Sequence, residues 1–151
     1  MDEKYRKLRT ILIVFGSLSL VASVVSVFYD LILMATPPEM MTEILAQAKE
    51  MTKNLQGTEL KPEQEQLFYT MLEYAKYHLI FNVLEIAGVI MMLAKRYAGF
   101  HVYAASQIAI CGIIYLAMGM GGLLIIVISL FCILIYRNLT KQIEQCQEPQ
   151  Q

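Results

Sequence analysis

The sequence predicts an all-α protein: a bundle of four transmembrane helices, with an extracytoplasmic helical hairpin between the first and the second. Of its 151 residues, 57% are hydrophobic and 17% are charged, whereas soluble domains carry about 25% charged residues. The apolar residues form runs long enough to cross a bilayer, and Lys and Arg gather at one set of run ends. We therefore expect residues 1–151 to form a single membrane domain.

The first predicted span covers about residues 10–34. From Thr10 to Tyr29 it contains no acidic or basic residue, and about 20 apolar residues suffice to cross the hydrocarbon core. The run is longer than the apolar part of a signal peptide and lacks a convincing cleavage site after it, so we expect the helix to be retained. Asp30 follows near its outer end, where we expect headgroups and water to solvate the carboxylate.

The segment of about residues 36–76 is the least hydrophobic part of the chain, and we predict that it is helical. After Pro38, apolar residues recur at helical spacing as far as Leu55, and Gly57 supplies a stop. After Pro62 a second helix runs without a breaker into the next span. We expect the two helices to pack as a hairpin. The alternative is that the first of them lies flat on the outer leaflet, although such helices usually carry more Lys and Arg.

The second predicted span covers about residues 77–94 and is interrupted only by Glu85. From Ala98 to Tyr136 the chain then runs for about 39 residues without Asp, Glu, Lys or Arg. This is about 58 Å of helix, twice the thickness to be crossed. The run must fold back, and the glycines of residues 119–122 suit a turn. The elements that follow from this turn are a third span at about 99–118, a fourth at about 122–137 and a tail at 138–151.

Lys and Arg residues predict the orientation. They cluster before the first span, between the second and third, and after the fourth, as Lys4, Arg6, Lys7, Arg9, Lys95, Arg96, Arg137 and Lys141. The opposite side carries four Lys scattered among seven Glu. Positive residues near the ends of spans favour the cytoplasmic side. We therefore predict a multi-pass cell-membrane protein with both termini in the cytoplasm.

Glu85 is the most unusual residue, because it falls near the middle of a span. A charge there costs about 2.5–3.5 kcal/mol on insertion scales, so such residues usually face the bundle interior. Residues on the same face of that helix, and polar residues at similar depth on its neighbours, could join it. The predicted network comprises Glu85, Asn82, Gln107, Ser23, Ser26 and His78. We favour a role in helix packing; the alternative is a site for a proton or a ligand.

Motifs of catalysis and cofactor binding are absent from the sequence: there is no P-loop, dinucleotide fingerprint, zinc spacing or hydrolase elbow. His78 and His101 should lie near opposite interfaces and cannot easily share a metal. The three cysteines do not suggest a disulfide framework, and no basic stripe suggests nucleic acid. We predict no catalytic residue, no cofactor, no metal and no nucleic-acid partner.

A short basic turn at residues 95–96 is followed by Gly99, Phe100 and Tyr103, and preceded by a helix end that contains glycine and methionine. Residues 87–103 resemble the corresponding stretch of small, uncharacterised four-helix inner-membrane proteins of Bacteroidota, in which Gly-Phe-x-x-Tyr opens the helix after the basic turn. The resemblance implies a bacterial inner membrane. It implies no activity.

These observations favour a non-enzymatic integral membrane protein that acts as an interaction or assembly component through its helix faces or its external hairpin. Small residues let helices approach closely, and Ala105, Ala109 and Gly112 offer one such face. The expected partners are the lipid bilayer and either a second copy or another membrane protein. The alternative is a small transporter or channel subunit that uses Glu85, and a membrane enzyme ranks third.

Overall fold

The computed structural model describes residues 3–57 and 62–146, and this part of the chain is helical, without strands. The all-α prediction is therefore confirmed. Three stretches within the described residues are long and apolar enough to cross a membrane, as expected of a membrane protein: Glu3–Ala35, Leu72–Leu93 and Gly99–Gln145. The helices follow the order α1 (Glu3–Ala35), α2 (Pro38–Gln56), α3 (Pro62–Leu93), α4 (Gly99–Met118), a 3-10 turn (Gly119–Gly122) and α5 (Leu123–Gln145).

The longest of these stretches is a hairpin of two helices. Gly119 has a φ angle of +54°, a conformation that glycine adopts without the clash a Cβ atom would cause. The chain reverses at this turn, and Tyr103 of α4 packs edge to face on Tyr136 of α5 with ring centres 4.6 Å apart. α4 and α5 are therefore antiparallel neighbours of 20 and 23 residues.

Two helices extend beyond the predicted spans. α1 begins at Glu3, upstream of Thr10. α5 continues to Gln145 rather than ending near Arg137, because Leu139, Thr140 and Ile143 prolong its buried face. Residues 138–145 of the predicted tail are thus helical. The remaining parts of the predicted segments, residues 58–61 and 147–151, lie outside the described residues.

α3 and α4 approach each other most closely where both carry glycine. A Cβ atom added to Gly88 would lie 2.6 Å from the backbone nitrogen of Tyr103, and one added to Gly99 would lie 2.5 Å from the carbonyl oxygen of Gly88. Real Cβ atoms do not come this close to backbone atoms. These two glycines therefore determine the spacing of α3 and α4.

The end of the bundle near Arg9 is closed by a cluster of buried apolar and aromatic side chains, which we call the closed half. Its members are Leu12, Val89, Met92, Tyr97, Tyr103, Tyr136 and Ile143. They come from α1, α3, α4, α5 and the connection between α3 and α4. The start of α1 and the end of α5 therefore meet at this end of the bundle.

Arg9 links α1 to the C-terminal end of α3 by hydrogen bonds within this closed half. Its guanidinium donates hydrogen bonds to the carbonyl oxygen of Met92, at 3.3 Å, and to that of Leu93. A cation at this position also complements the negative end of the helix dipole. Burial raises the pKa of the Tyr97 phenol, which lies beside Tyr5 and Arg9 in the α3–α4 connection.

α2 carries an apolar arc about 140° wide, counted at 100° per residue. One side of the arc is covered, since Met41 and Leu45 are each 6% exposed. The other side, which we call the uncovered stripe, consists of side chains that are 44–80% exposed: Met40, Ile44, Met51 and Leu55. Packing of α2 on α3 as an external hairpin stays a prediction.

Candidate functional site

One part of the polar network is a pair of hydrogen-bonded side chains, Asp30 of α1 and His78 of α3. His78 Nδ1 lies 3.0 and 2.9 Å from the two carboxylate oxygens of Asp30, and Asn82 Nδ2 donates to Asp30 Oδ2 at 3.2 Å. The Asp30 side chain is buried, with 2% of the residue exposed. A buried carboxylate needs such donors, because it has lost its water. The cluster thus satisfies Asp30 with two donors from one neighbouring helix.

Our expectation that headgroups and water solvate Asp30 was wrong. Asp30 lies seven residues after Ser23, two helical turns further along the same buried face of α1. That spacing was available in the sequence and indicates an inward-facing carboxylate. Its partners could not be deduced, because the register of α1 against α3 depends on packing.

The hydrogen-bond pattern indicates the tautomer of His78. A carboxylate only accepts hydrogen bonds, so Nδ1 of His78 carries the proton that it donates to Asp30. Asn82 Nδ2 lies 3.0 Å from His78 Nδ1. Both nitrogens therefore donate to the same acceptor, Asp30 Oδ2. In the neutral imidazole, Nε2 is left as an available base or acceptor.

A cavity of about 110 Å³ adjoins this pair of side chains, and both Asp30 and His78 line it. Tyr29 and Tyr74 contribute from α1 and α3. The opposite side is lined by four residues of α4: Ile113, Ile114, Ala117 and Met118. The cavity therefore lies at the end of the bundle that holds the Gly119–Gly122 turn, away from the closed half. We call this end the cavity half.

Glu85 lies deeper in the bundle and joins three helices. It is 6% exposed, and its carboxyl lies beside the side chains of Ser23 of α1 and Gln107 of α4. The hydroxyl proton of Ser23 is donated to the carbonyl oxygen of Ser19, at an O–O distance of 2.8 Å. Glu85 thus faces protein rather than lipid. Among the described hydrogen bonds, Ser26 joins neither Glu85 nor Asp30.

A third polar contact reaches the closed half. The hydroxyls of Ser19 and Tyr136 are 2.8 Å apart, and Tyr136 is only 1% exposed. Tyr136 lies near the end of the fourth predicted span, a position at which tyrosine often meets the membrane–water interface. The structure buries it instead, because the reversal at Gly119 brings the end of α5 against α1 and α4.

The predicted network is therefore split over the length of the bundle. Asp30, His78 and Asn82 form one cluster, while Glu85, Ser23 and Gln107 form the next. His101 is separate from both, in a groove between α3 and α4. Within the described residues, no three His, Cys, Asp or Glu side chains converge on a point where a metal could bind.

The cavity half offers a carboxylate and an imidazole that can hold a proton or a cation. The described hydrogen bonds of Asp30 and His78 include no serine hydroxyl or cysteine thiol, so they do not assemble the nucleophile, base and orienter of a covalent enzyme. Comparison of the chain with known proteins found no matching family model, curated protein or solved structure.

Proposed function

We propose that the protein crosses the bilayer four times, with both termini in the cytoplasm, and acts as a non-enzymatic interaction or assembly component. Two observations support the topology. Both arms of the α4–α5 hairpin are long enough to cross. The closed half also holds Arg9 and the basic α3–α4 connection, at the end where positive residues favour the cytoplasm.

The observation that carries the interaction role is the uncovered stripe of α2. α2 lies outside the stretches that can cross a membrane, yet it exposes four large apolar side chains on one face. Apolar patches exposed by a polar segment mark interaction sites. Its polar residues include three Glu against two Lys, which disfavours adsorption to an anionic leaflet. We therefore assign the stripe to a protein partner, either a second copy or another membrane protein.

A photo-crosslinking amino acid at Ile44, in the uncovered stripe, tests this role in native membranes. We expect a protein adduct, running near twice 17.2 kDa for a second copy or at another discrete mass for a different partner. The matched control is the same amino acid at Glu50, which is exposed on the polar side of α2. Adducts to lipid alone at Ile44, or equal protein adducts at both positions, would refute the interaction role.

Thiol labelling in intact cells tests the topology separately. In a variant without the native cysteines, Glu50→Cys should react with an impermeant reagent, whereas Lys141→Cys should react only after the cells are opened. The reverse pattern would invert the protein in the membrane.

A small transporter or channel subunit is the second candidate, favoured by the buried Glu85 cluster below the cavity. The closed half interrupts any path from this cluster to the other face, since Leu12, Val89 and Met92 are fully buried there. Transport would thus require α1 and α3 to separate. Glu85→Gln keeps the shape and removes the titratable proton. It should abolish transport if Glu85 carries a proton, and leave assembly intact if Glu85 only packs helices, whereas Glu85→Leu should weaken assembly.

A further inference from the structure

We propose that the cavity beside Asp30 and His78 is a binding site for a small organic ammonium group. This site is separate from the uncovered stripe of α2 and does not depend on the interaction role. Its ligand would place the ammonium against the Asp30 carboxylate and its carbon atoms against the apolar wall formed by α4.

The charge of the site selects a cation. Asp30 and His78 together carry a charge of −1 when His78 is neutral and zero when it is protonated. The other titratable groups that line the cavity are Tyr29 and Tyr74, and Glu85, further along α3, adds a carboxyl rather than a cation. α4 contributes only apolar residues to the wall. An anion would therefore meet a carboxylate without a compensating positive charge.

The lining favours an organic cation over a metal ion. Calcium takes six to eight oxygen ligands and magnesium demands six in octahedral geometry, whereas Asp30 is the one carboxylate among the lining residues. An ammonium group needs fewer acceptors, and tyrosine rings attract organic cations through their faces. Two tyrosines border the cavity, and apolar side chains from α4 can contact carbon atoms.

The volume of the cavity limits the part of the ligand that lies inside it. A cavity of about 150 Å³ accommodates benzene, so a volume of about 110 Å³ suits an amine of a few heavy atoms. The same ammonium chemistry has two sources, a free amine or the ethanolamine headgroup of a lipid. Asp30 lies five residues from the end of α1, about 7.5 Å along the helix, which is within reach of a headgroup.

Binding can be followed on His78 directly, because the chain contains two histidines. In the full-length protein carrying His101→Gln and isotope-labelled histidine, the imidazole signals report on the cavity alone. We expect ethanolamine to shift them in a saturable manner at pH 8. Ethylene glycol, which has the same size and no charge, should not. A shift of equal size with ethylene glycol, or no shift with ethanolamine in either detergent or amine-free nanodiscs, would overturn the proposal.

Two variants separate the effect of the Asp30 charge on binding from the effect of the cavity volume. Asp30→Asn should weaken ethanolamine binding at least tenfold. Ala117→Leu, which fills the cavity and leaves the hydrogen bond between His78 and Asp30 in place, should do the same. Ala22→Leu is the matched control, since Ala22 is exposed on α1 and does not line the cavity, and the affinity of this variant should stay within twofold of that of the unmodified chain. Unchanged affinity in Ala117→Leu would exclude this cavity even if Asp30→Asn failed to fold.

Nanodiscs of two compositions distinguish the source of the ammonium. If the occupant is a lipid headgroup, phosphatidylethanolamine nanodiscs should shift the His78 signals without added amine, whereas phosphatidylglycerol nanodiscs should not. Added ethanolamine should then cause a smaller further shift in the phosphatidylethanolamine nanodiscs. If it is a free amine, the response to ethanolamine should be the same in both. Either result supports an ammonium site and assigns its ligand.

Discussion

The two halves of the bundle are held together by different interactions. In the closed half, seven buried apolar and aromatic side chains from the four bundle helices and the α3–α4 connection fill the space between them, and Arg9 binds the end of α3. In the cavity half, a hydrogen bond from His78 to the buried Asp30 joins α3 to α1 beside a cavity. α5 contributes to burial only through its second half, at Tyr136, Leu139, Thr140 and Ile143.

This difference assigns stability and binding to different ends of one molecule. Close packing leaves no room for a ligand and resists change. Polar groups in a membrane are retained where they pair with each other or serve a function. The closed half is therefore the structural anchor of the four helices, and the cavity half is where a ligand or a change in charge can act.

The largest effect is expected from a cavity in the closed half. Met92 is fully buried, and Met92→Ala should destabilise the protein by about 2–5 kcal/mol, as in other well-packed cores. Met120 is 75% exposed at the opposite end, and Met120→Ala should change stability by about 0.5 kcal/mol or less. Reversible unfolding in mixed detergent measures both. Equal losses would show that the closed half is not preferentially packed.

The next largest change in stability is expected from glycine substitutions, which compare the two ends of the bundle. Gly88→Ala forces a Cβ atom against the backbone of Tyr103 and should destabilise by about 1–3 kcal/mol. In Gly112→Ala, the added Cβ meets no described atom within 4 Å, so the change should stabilise by about 0.5–1 kcal/mol through helix propensity. The same unfolding assay applies. A stabilising Gly88→Ala would contradict the close approach of α3 and α4.

The smallest expected effect concerns the hydrogen bond between Ser19 and Tyr136. Tyr136→Phe removes one hydroxyl from a buried pair, and hydrogen bonds between membrane helices average about 0.6 kcal/mol. Tyr115→Phe is the control, because Tyr115 is 57% exposed. A loss in Tyr136→Phe no larger than that in Tyr115→Phe would show that this bond does not couple α1 to α5.

The sequence predicted those features that depend on length and composition. The reversal near Gly119 follows from an apolar run twice as long as a bilayer is thick, and the inward placement of Glu85 follows from the cost of exposing it to lipid. Pairings between helices could not be predicted in this way. The contact of Asp30 with His78, and that of Ser19 with Tyr136, depend on how far one helix slides along another, which local spacing does not determine.

The most direct test of the difference between the halves is thiol reactivity at one position in each. In a chain without native cysteines, Ala117→Cys lines the cavity and Val89→Cys lies in the closed half, at a position that is 0% exposed. We expect a methanethiosulfonate carrying a trimethylammonium group, applied to opened membranes so that it reaches both faces, to modify Ala117→Cys and to leave Val89→Cys unmodified. Modification of Val89→Cys at a comparable rate, or protection of Ala117→Cys, would contradict a closed half and an accessible cavity half.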